Sequence, residues 1–403
     1  MRGRSRGVSS DDDPPTREAH TACASCLRRS WLLSMLSAPL DYVARDRERL
    51  HAVLALCDLE LLQAVGGRRR AELQDQYHAF QPGRRRCDGA VRAVCRHNAC
   101  YPEALSGPAA PPMLNVAGGT SRLAALCSTP LVAIVGSRAP SDYGWEMARS
   151  FARGLAGSGV GVIGGWSDGI PIAAHTGALQ STGATLAVIG SGLHVSSPAR
   201  RRALLRRVTR SGCAISELPC DCGGRRWGAL AGERIVAQLA AITVVVEAED
   251  TVGELWPAYL AKAHGRAVAA IPGRVTSPLS QGANALLMNG AVLVRDVQDV
   301  LNLLHTSDRS RSVRSPALSP YARLEPRLRA VLERVGAGRD TPDSLTSDGA
   351  DPGEMLLALS ELELLGALCR GDGGRYAPTH PLPRSQQRTG DDGKGMTGEA
   401  GAS

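Results

Sequence analysis

The chain has 403 residues, of which 43% are hydrophobic and 21% charged; that excludes global disorder and leaves room for about two to three domains. Its formal net charge of +8 favours a polyanionic partner, while an aromatic content of 3% excludes a nucleic-acid surface built mainly on stacking, so phosphate contacts would dominate. No segment approaches the roughly 18 uninterrupted apolar residues of a membrane span, and no apolar run follows the arginines near Met1, so the expectation is a cytoplasmic chain without a membrane partner. The cysteine count of 11 is odd and scattered, which fits reduced thiols better than a disulfide framework.

Residues 1–30 read as disordered and 31–104 as a helical N-terminal domain, with apolar residues at three- and four-residue spacing from Trp31. Between Leu131 and Leu304, seven short apolar runs alternate with helix-length segments: 131–136, 160–165, 185–190, 213–216, 242–248, 267–272 and 291–294. Such strands imply a parallel sheet buried on both faces, so the expected fold is α/β: a doubly wound, Rossmann-like domain over 105–304. A Ser/Arg/Pro-rich stretch at 305–322 reads as a linker. Two helices, the second behind an Asp351 N-cap, and a hairpin then suggest a small winged-helix-like module over 323–380, followed by a disordered tail over 381–403.

In an open parallel sheet, ligands bind beyond the carboxyl ends of the strands. Glycine-rich loops fall there: IVGSRAPSDYG (134–144), GGWSDGI (164–170), GSG (190–192) and IPGRVTS (271–277). Their backbone amides favour anions, yet none matches a Walker A or GxGxxG pattern. Arg138 follows the first strand and can fork onto a phosphate, or simply cap or cover the surface. His175, in the small-residue segment PIAAHTGAL, reads better as a packed core histidine than as a catalytic one. Glu247 and Glu254 could form an acid–base pair; holding loop amides is the better reading. Arg202, Arg206 and Arg210 form a basic stripe that is either a polyanion contact or a solvated face. The Cys23/Cys26 pair lacks a clear second pair to complete a metal site, with only His97 and Cys100 or Cys95 nearby, so neither metal nor cofactor is expected.

Taken together and in order, LVAIVGSRAPSDYG, GVGVIGGWSDGIPIAAHTGALQSTGATLAVIGSGL, CAISELP, GERIVAQLAAITVVVEA and GRAVAAIPGRVTSPLSQGANALLMNGAVLV resemble the bacterial DNA-processing protein A (DprA/Smf) family. The resemblance implies an extended Rossmann-like domain that binds single-stranded DNA without catalytic turnover. It also implies help in loading the RecA recombinase during natural transformation, and a homodimer of the kind family members commonly form. By the same resemblance, Gly136, Ser137 and Arg138 match the family's GSR loop at the DNA pocket, Gly165 and Gly169 its next glycine-rich turn, Arg234 the second arginine of its RNR motif, and Pro272 and Gly273 its PG loop. The chain departs from the family pattern at Gly164, where serine is usual, at Pro171 in place of Asp, at Gly232 and Glu233 within the RNR motif, and at Val252–Ala258 in place of SGSLxTA. Each exchange removes a polar or cationic group from the ligand side, which implies weakened DNA affinity. The alternative is a nucleotide-binding enzyme resembling nucleoside-monophosphate phosphoribohydrolases, with Glu254 as its acidic residue.

Overall fold

The structure, a computed structural model, describes residues 22–81, 90–181, 183–195, 198–313, 324–336, 339, 341–347, 349–370, 374 and 376–378. The chain forms two units, Met1–Arg314 and Ser315–Ser403. The expectations for residues 1–21, for the linker from 314 to 322, for most of the turn between the hairpin strands and for the tail over 381–403 lie outside the described residues.

Among the described residues, the first unit begins with five α-helices: α1 (Ala24–Met35), α2 (Ser37–Val43), α3 (Arg47–Ala55), α4 (Asp58–Val65) and α5 (Arg70–His78). Helix α1 begins inside the stretch read as disordered. Its apolar stripe packs rather than fraying, with Cys26, Leu32 and Leu33 buried. Asp46 caps α3 by accepting from the Arg49 amide at 3.0 Å.

The sheet then starts earlier than the sequence implied. Strands β1 (Val91–Cys95) and β2 (Met113–Ala117) form an antiparallel pair, and β1 falls within the span expected to be helical. Helix α6 (Thr120–Cys127) leads to the alternating core: β3 (Leu131–Val135), α7 (Asp142–Gly157), β4 (Gly161–Gly165), α8 (Ile170–Ala178), β5 (Thr185–Val188), α9 (Ala199–Ser211), β6 (Cys213–Ser216), α10 (Arg226–Leu239), β7 (Ala240–Val245), α11 (Val252–Ala263), β8 (Ala267–Ala270), α12 (Pro278–Met288), β9 (Val292–Leu293) and α13 (Val297–Val313). All seven apolar runs are strands. Helix α13 continues to Val313, past the expected start of the linker at 305.

The sheet order is β1-β2-β6-β5-β4-β3-β7-β8-β9. From β6 to β9 every pairing is parallel, and β2 joins β6 antiparallel. Helices cover both faces, so β3 is buried at all five residues; a fully buried Leu, Val or Ile contributes about 1.5–3 kcal/mol, which explains its continuous apolar sequence. The N-terminal helices close a further core against Leu218, Trp227 and Leu230. The chain leaves β3 for β4 in one direction, and β7 returns to the other side of β3. That reversal makes the carboxyl ends of β3 and β7 the switch point of the sheet.

Cys23, Cys26, Cys57, Cys95, Cys127 and Cys213 are free thiols, whereas Cys220 is disulfide-bonded, which departs from the expectation of reduced thiols throughout. No helix among the described residues is long and apolar enough to cross a membrane.

The second unit contains α14 (Pro326–Gly336), α15 (Pro342–Thr346), α16 (Pro352–Leu364) and an antiparallel pair, β10 (Leu368–Arg370) and β11 (Tyr376–Pro378). Asp351 caps α16 by accepting from the Glu354 amide at 2.8 Å.

Candidate functional site

At the switch point, the loop leaving β3 is braced from three sides. The Ser137 amide donates to the Glu247 carbonyl at 2.6 Å, and the Ile170 amide donates to the Ser137 carbonyl at 3.0 Å. Gly136 has φ +151°, and a Cβ there would lie 2.2 Å from the Glu247 carbonyl oxygen. Gly169 has φ +79°, and its Cβ would lie 2.2 Å from the Ser137 carbonyl. Both positions therefore require glycine, for the close approach of three loops.

Two carboxylates complete the brace. Glu247, buried at the end of β7, accepts from the Ser141 amide at 2.9 Å and from the Ser141 hydroxyl at 2.7 Å. Glu254 accepts from the Ser137 hydroxyl at 3.1 Å and from the Glu249 amide at 2.8 Å. Both acids hold loop polar groups, which gives Glu254 a positioning task. Deep in the crevice several amides are thus already engaged.

The outer rim of the crevice is basic. Exposed arginines stand in the loops or helix starts that follow four strands: Arg138 after β3, Arg200 after β5, Arg225 and Arg226 after β6, and Arg274 after β8. Among the described residues, no hydrogen bond or ion pair engages any of these five side chains. Acidic residues interrupt the rim, with Glu249 and Asp250 exposed after β7, Asp168 after β4 and Asp221 after β6. Helix α9 adds exposed Arg202, Arg206, Arg207 and Arg210. Its Arg201 donates to the Trp166 carbonyl at 2.5 Å and pairs with Asp168, tying α9 to the loop after β4. The start of α10 shares a surface cavity of about 300 Å³ with Asp41, Tyr42 and Arg45 of the helical region.

The other residues singled out in the sequence separate into surface and interior. Ser137 is buried, Gly165 half-buried and Pro272 exposed. The Gly273 amide donates to Asn284 Oδ1 at 3.1 Å, and Asn284 Nδ2 donates back to the Gly273 carbonyl at 3.2 Å, so α12 fixes that loop. Arg234 turns inward. It is 2% exposed and donates to Glu217 Oε1 at 2.7 Å, the Ala109 carbonyl at 2.7 Å and the Ala231 carbonyl at 2.5 Å. Its neighbour Glu233 pairs with Arg47 at 3.1 Å, linking α10 to the helical region. Burial pushes the Glu233 carboxyl up to about 7, against the opposing pull of the Arg47 and Arg138 charges.

His175 is fully buried, with Nε2 3.1 Å from the Gly165 carbonyl and Nδ1 2.8 Å from the Thr185 hydroxyl. Burial pushes it down to about 4, so the imidazole is neutral and structural. Sequence reasoning missed the coupling of Ser141 to Glu247; the serine's N-cap position before α7 was the available signal. It also undervalued a cluster at the sheet's edge, where Cys23, Cys26, Cys95 and His97 converge.

The family model of DNA recombination-mediator protein A matches residues 92–305. A putative DNA processing protein DprA from Mycobacterium tuberculosis is 35% identical over 319 residues, covering 78% of each chain. Protein Smf of Escherichia coli is 34% identical over 251 residues, 60% of this chain and 66% of the relative. Among solved structures, DNA processing protein A from Streptococcus pneumoniae superposes with a TM-score of 0.54 at 27% identity, covering 70% of this chain and 98% of that one.

Proposed function

Since the chain belongs to the DNA recombination-mediator protein A family, we propose that it acts in DNA processing and recombination by binding single-stranded DNA along the carboxyl edge of its sheet. The observation that carries this reading is the set of unengaged, exposed arginines after four strands of one sheet. Guanidinium groups fork onto phosphate oxygens, and low aromatic content leaves phosphate as the main target. Gly136, Ser137, Gly165, Gly169, Pro272 and Gly273 shape the rim, Arg138 is its central cation, and Arg234 is a positioning residue behind it.

The reading is of a non-catalytic cytoplasmic protein that presents the strand to the RecA recombinase. Engagement of both oxygens of Glu254 supports it over hydrolysis of a nucleotide. The helix and hairpin order of the second unit supports a winged-helix module, and the acidic residues Asp351, Glu354, Glu361 and Glu363 favour protein contact there over duplex DNA.

Fluorescence anisotropy with labelled oligo-dT across a salt series tests this. Binding weakens steeply with salt, and Arg138→Ala lowers affinity while reducing the log–log salt slope by about 0.7, one phosphate contact on a single strand. Salt-insensitive binding, or binding that requires a duplex, refutes it.

A further inference from the structure

Three cysteines and a histidine from two distant chain segments meet where α1 approaches the edge strand β1. Cys23 is the N-cap of α1, Cys26 lies in its first turn, Cys95 ends β1, and His97 sits in the turn that follows. Their four ligand atoms all lie within 4.8 Å of one another. His97 Nδ1 is 3.3 Å from Cys23 Sγ, 3.5 Å from Cys26 Sγ and 3.8 Å from Cys95 Sγ. A tetrahedron with Zn–S bonds of about 2.3 Å and a Zn–N bond of about 2.0–2.1 Å has an N-to-S edge of about 3.5 Å. The three observed distances scatter around that value.

Hydrogen bonding does not account for the arrangement. One imidazole nitrogen carries one proton or one lone pair, so it satisfies one sulfur, not three. The cysteines are free thiols rather than a disulfide. A shared cation satisfies all four donors at once. The donor set, three soft thiolates and an imidazole, selects zinc over oxygen-seeking magnesium or calcium.

We propose that Cys23, Cys26, Cys95 and His97 form a closed, structural zinc site that fastens the start of the helical region to the edge of the sheet. The surroundings suit it. Ala22 and Met113 are buried around Cys26 and Cys95, with Leu27 and Ala93 packed alongside. The Cys23 amide points at Cys95 Sγ from 3.5 Å, and the Cys95 amide donates to Asn98 Oδ1 at 2.7 Å, which pins the Cys-x-His turn. The first turn of α1 contains no acidic residue, so the positive end of its dipole faces the thiolates unopposed. With four protein donors no position stays open for a substrate, so the ion has a folding role and leaves the arginine rim unchanged.

The test uses the full chain purified under reducing conditions without chelator. Elemental analysis gives about one zinc per chain for wild type and for Cys369→Ser, an exposed thiol in the other unit, and loss of zinc for Cys26→Ser and His97→Ala. Should those variants fail to fold, chelator-treated wild type titrated with cobalt(II) gives the intense visible absorption of a tetrahedral, sulfur-ligated ion. The proposal is overturned by a metal-free wild type that develops no tetrahedral cobalt spectrum. Zinc retained in the Cys26→Ser, His97→Ala double variant overturns it equally, as does a Cys23–Cys26 disulfide found by mass spectrometry in the reduced preparation.

Discussion

Replacing Arg234 by methionine separates a structural arginine from a ligand-binding one. The side chain is buried against Glu217, whose carboxylate is itself only 5% exposed and has its second oxygen, Oε2, without a hydrogen-bond partner. Removing the guanidinium leaves a buried anion uncompensated, which costs about 3–5 kcal/mol. The Ala109 and Ala231 carbonyls lose their donor as well. All five tryptophans, Trp31, Trp145, Trp166, Trp227 and Trp256, lie in the first unit, so their fluorescence during urea unfolding reports that unit alone. With an m-value of about 3 kcal/mol per molar, the midpoint falls by about 1–1.7 M. Adding Glu217→Met to Arg234→Met recovers much of the loss, because an apolar pair of similar volume is tolerated where a lone charge is not. Folded Arg234→Met, measured in anisotropy at low temperature, keeps the wild-type salt slope. An unchanged midpoint together with a slope reduced by about 0.7 refutes the reasoning and makes Arg234 a phosphate contact.

Gly169→Ala places a Cβ 2.2 Å from the Ser137 carbonyl at φ +79°, so thermal melting falls by the equivalent of at least about 1–3 kcal/mol, and an unchanged melting temperature contradicts the packing described for the three loops. Glu233 takes up its proton more readily when folded, near 7, than when unfolded, near 4.5, so its ionisation opposes folding increasingly as pH rises through that window. Glu233→Gln therefore gains on wild type by about 3 kcal/mol between pH 4.5 and 7, read from urea midpoints at each pH, and a gap that does not widen with pH refutes the assignment.

The parallel core was legible because each of its strands is a continuous apolar run, a pattern that two helix-covered faces demand. Strands β1 and β2 were not, since Arg92 and Asn115 interrupt their apolar pattern. Asn115 donates to the distant Leu218 carbonyl at 2.6 Å, a partner that no local pattern announces. Around the switch point, the glycine-rich loops and Arg138 were legible from local loop chemistry, whereas Gly136 and Gly169 were singled out through the family resemblance. The inward turn of Arg234 was not legible, because it depends on Glu217 and Ala109, which no spacing connects to it. The same holds for the meeting of Cys23 and Cys26 with Cys95 and His97, some 70 residues apart, which only the docking of α1 on the sheet creates.

The shape of the sheet's margins bears on how copies of the chain meet. Among the described residues, one margin, β9, is two residues long, and the other, β1, presents the exposed charge of Arg92. Neither offers the long, flat, uncharged row of unpaired amides that templates strand addition. Self-association by extending the sheet is therefore disfavoured at both ends, which protects a slowly assembling parallel core from aggregating through its edges. Any orderly pairing of two chains falls to helix faces and loops, where side chains rather than backbone decide the partner.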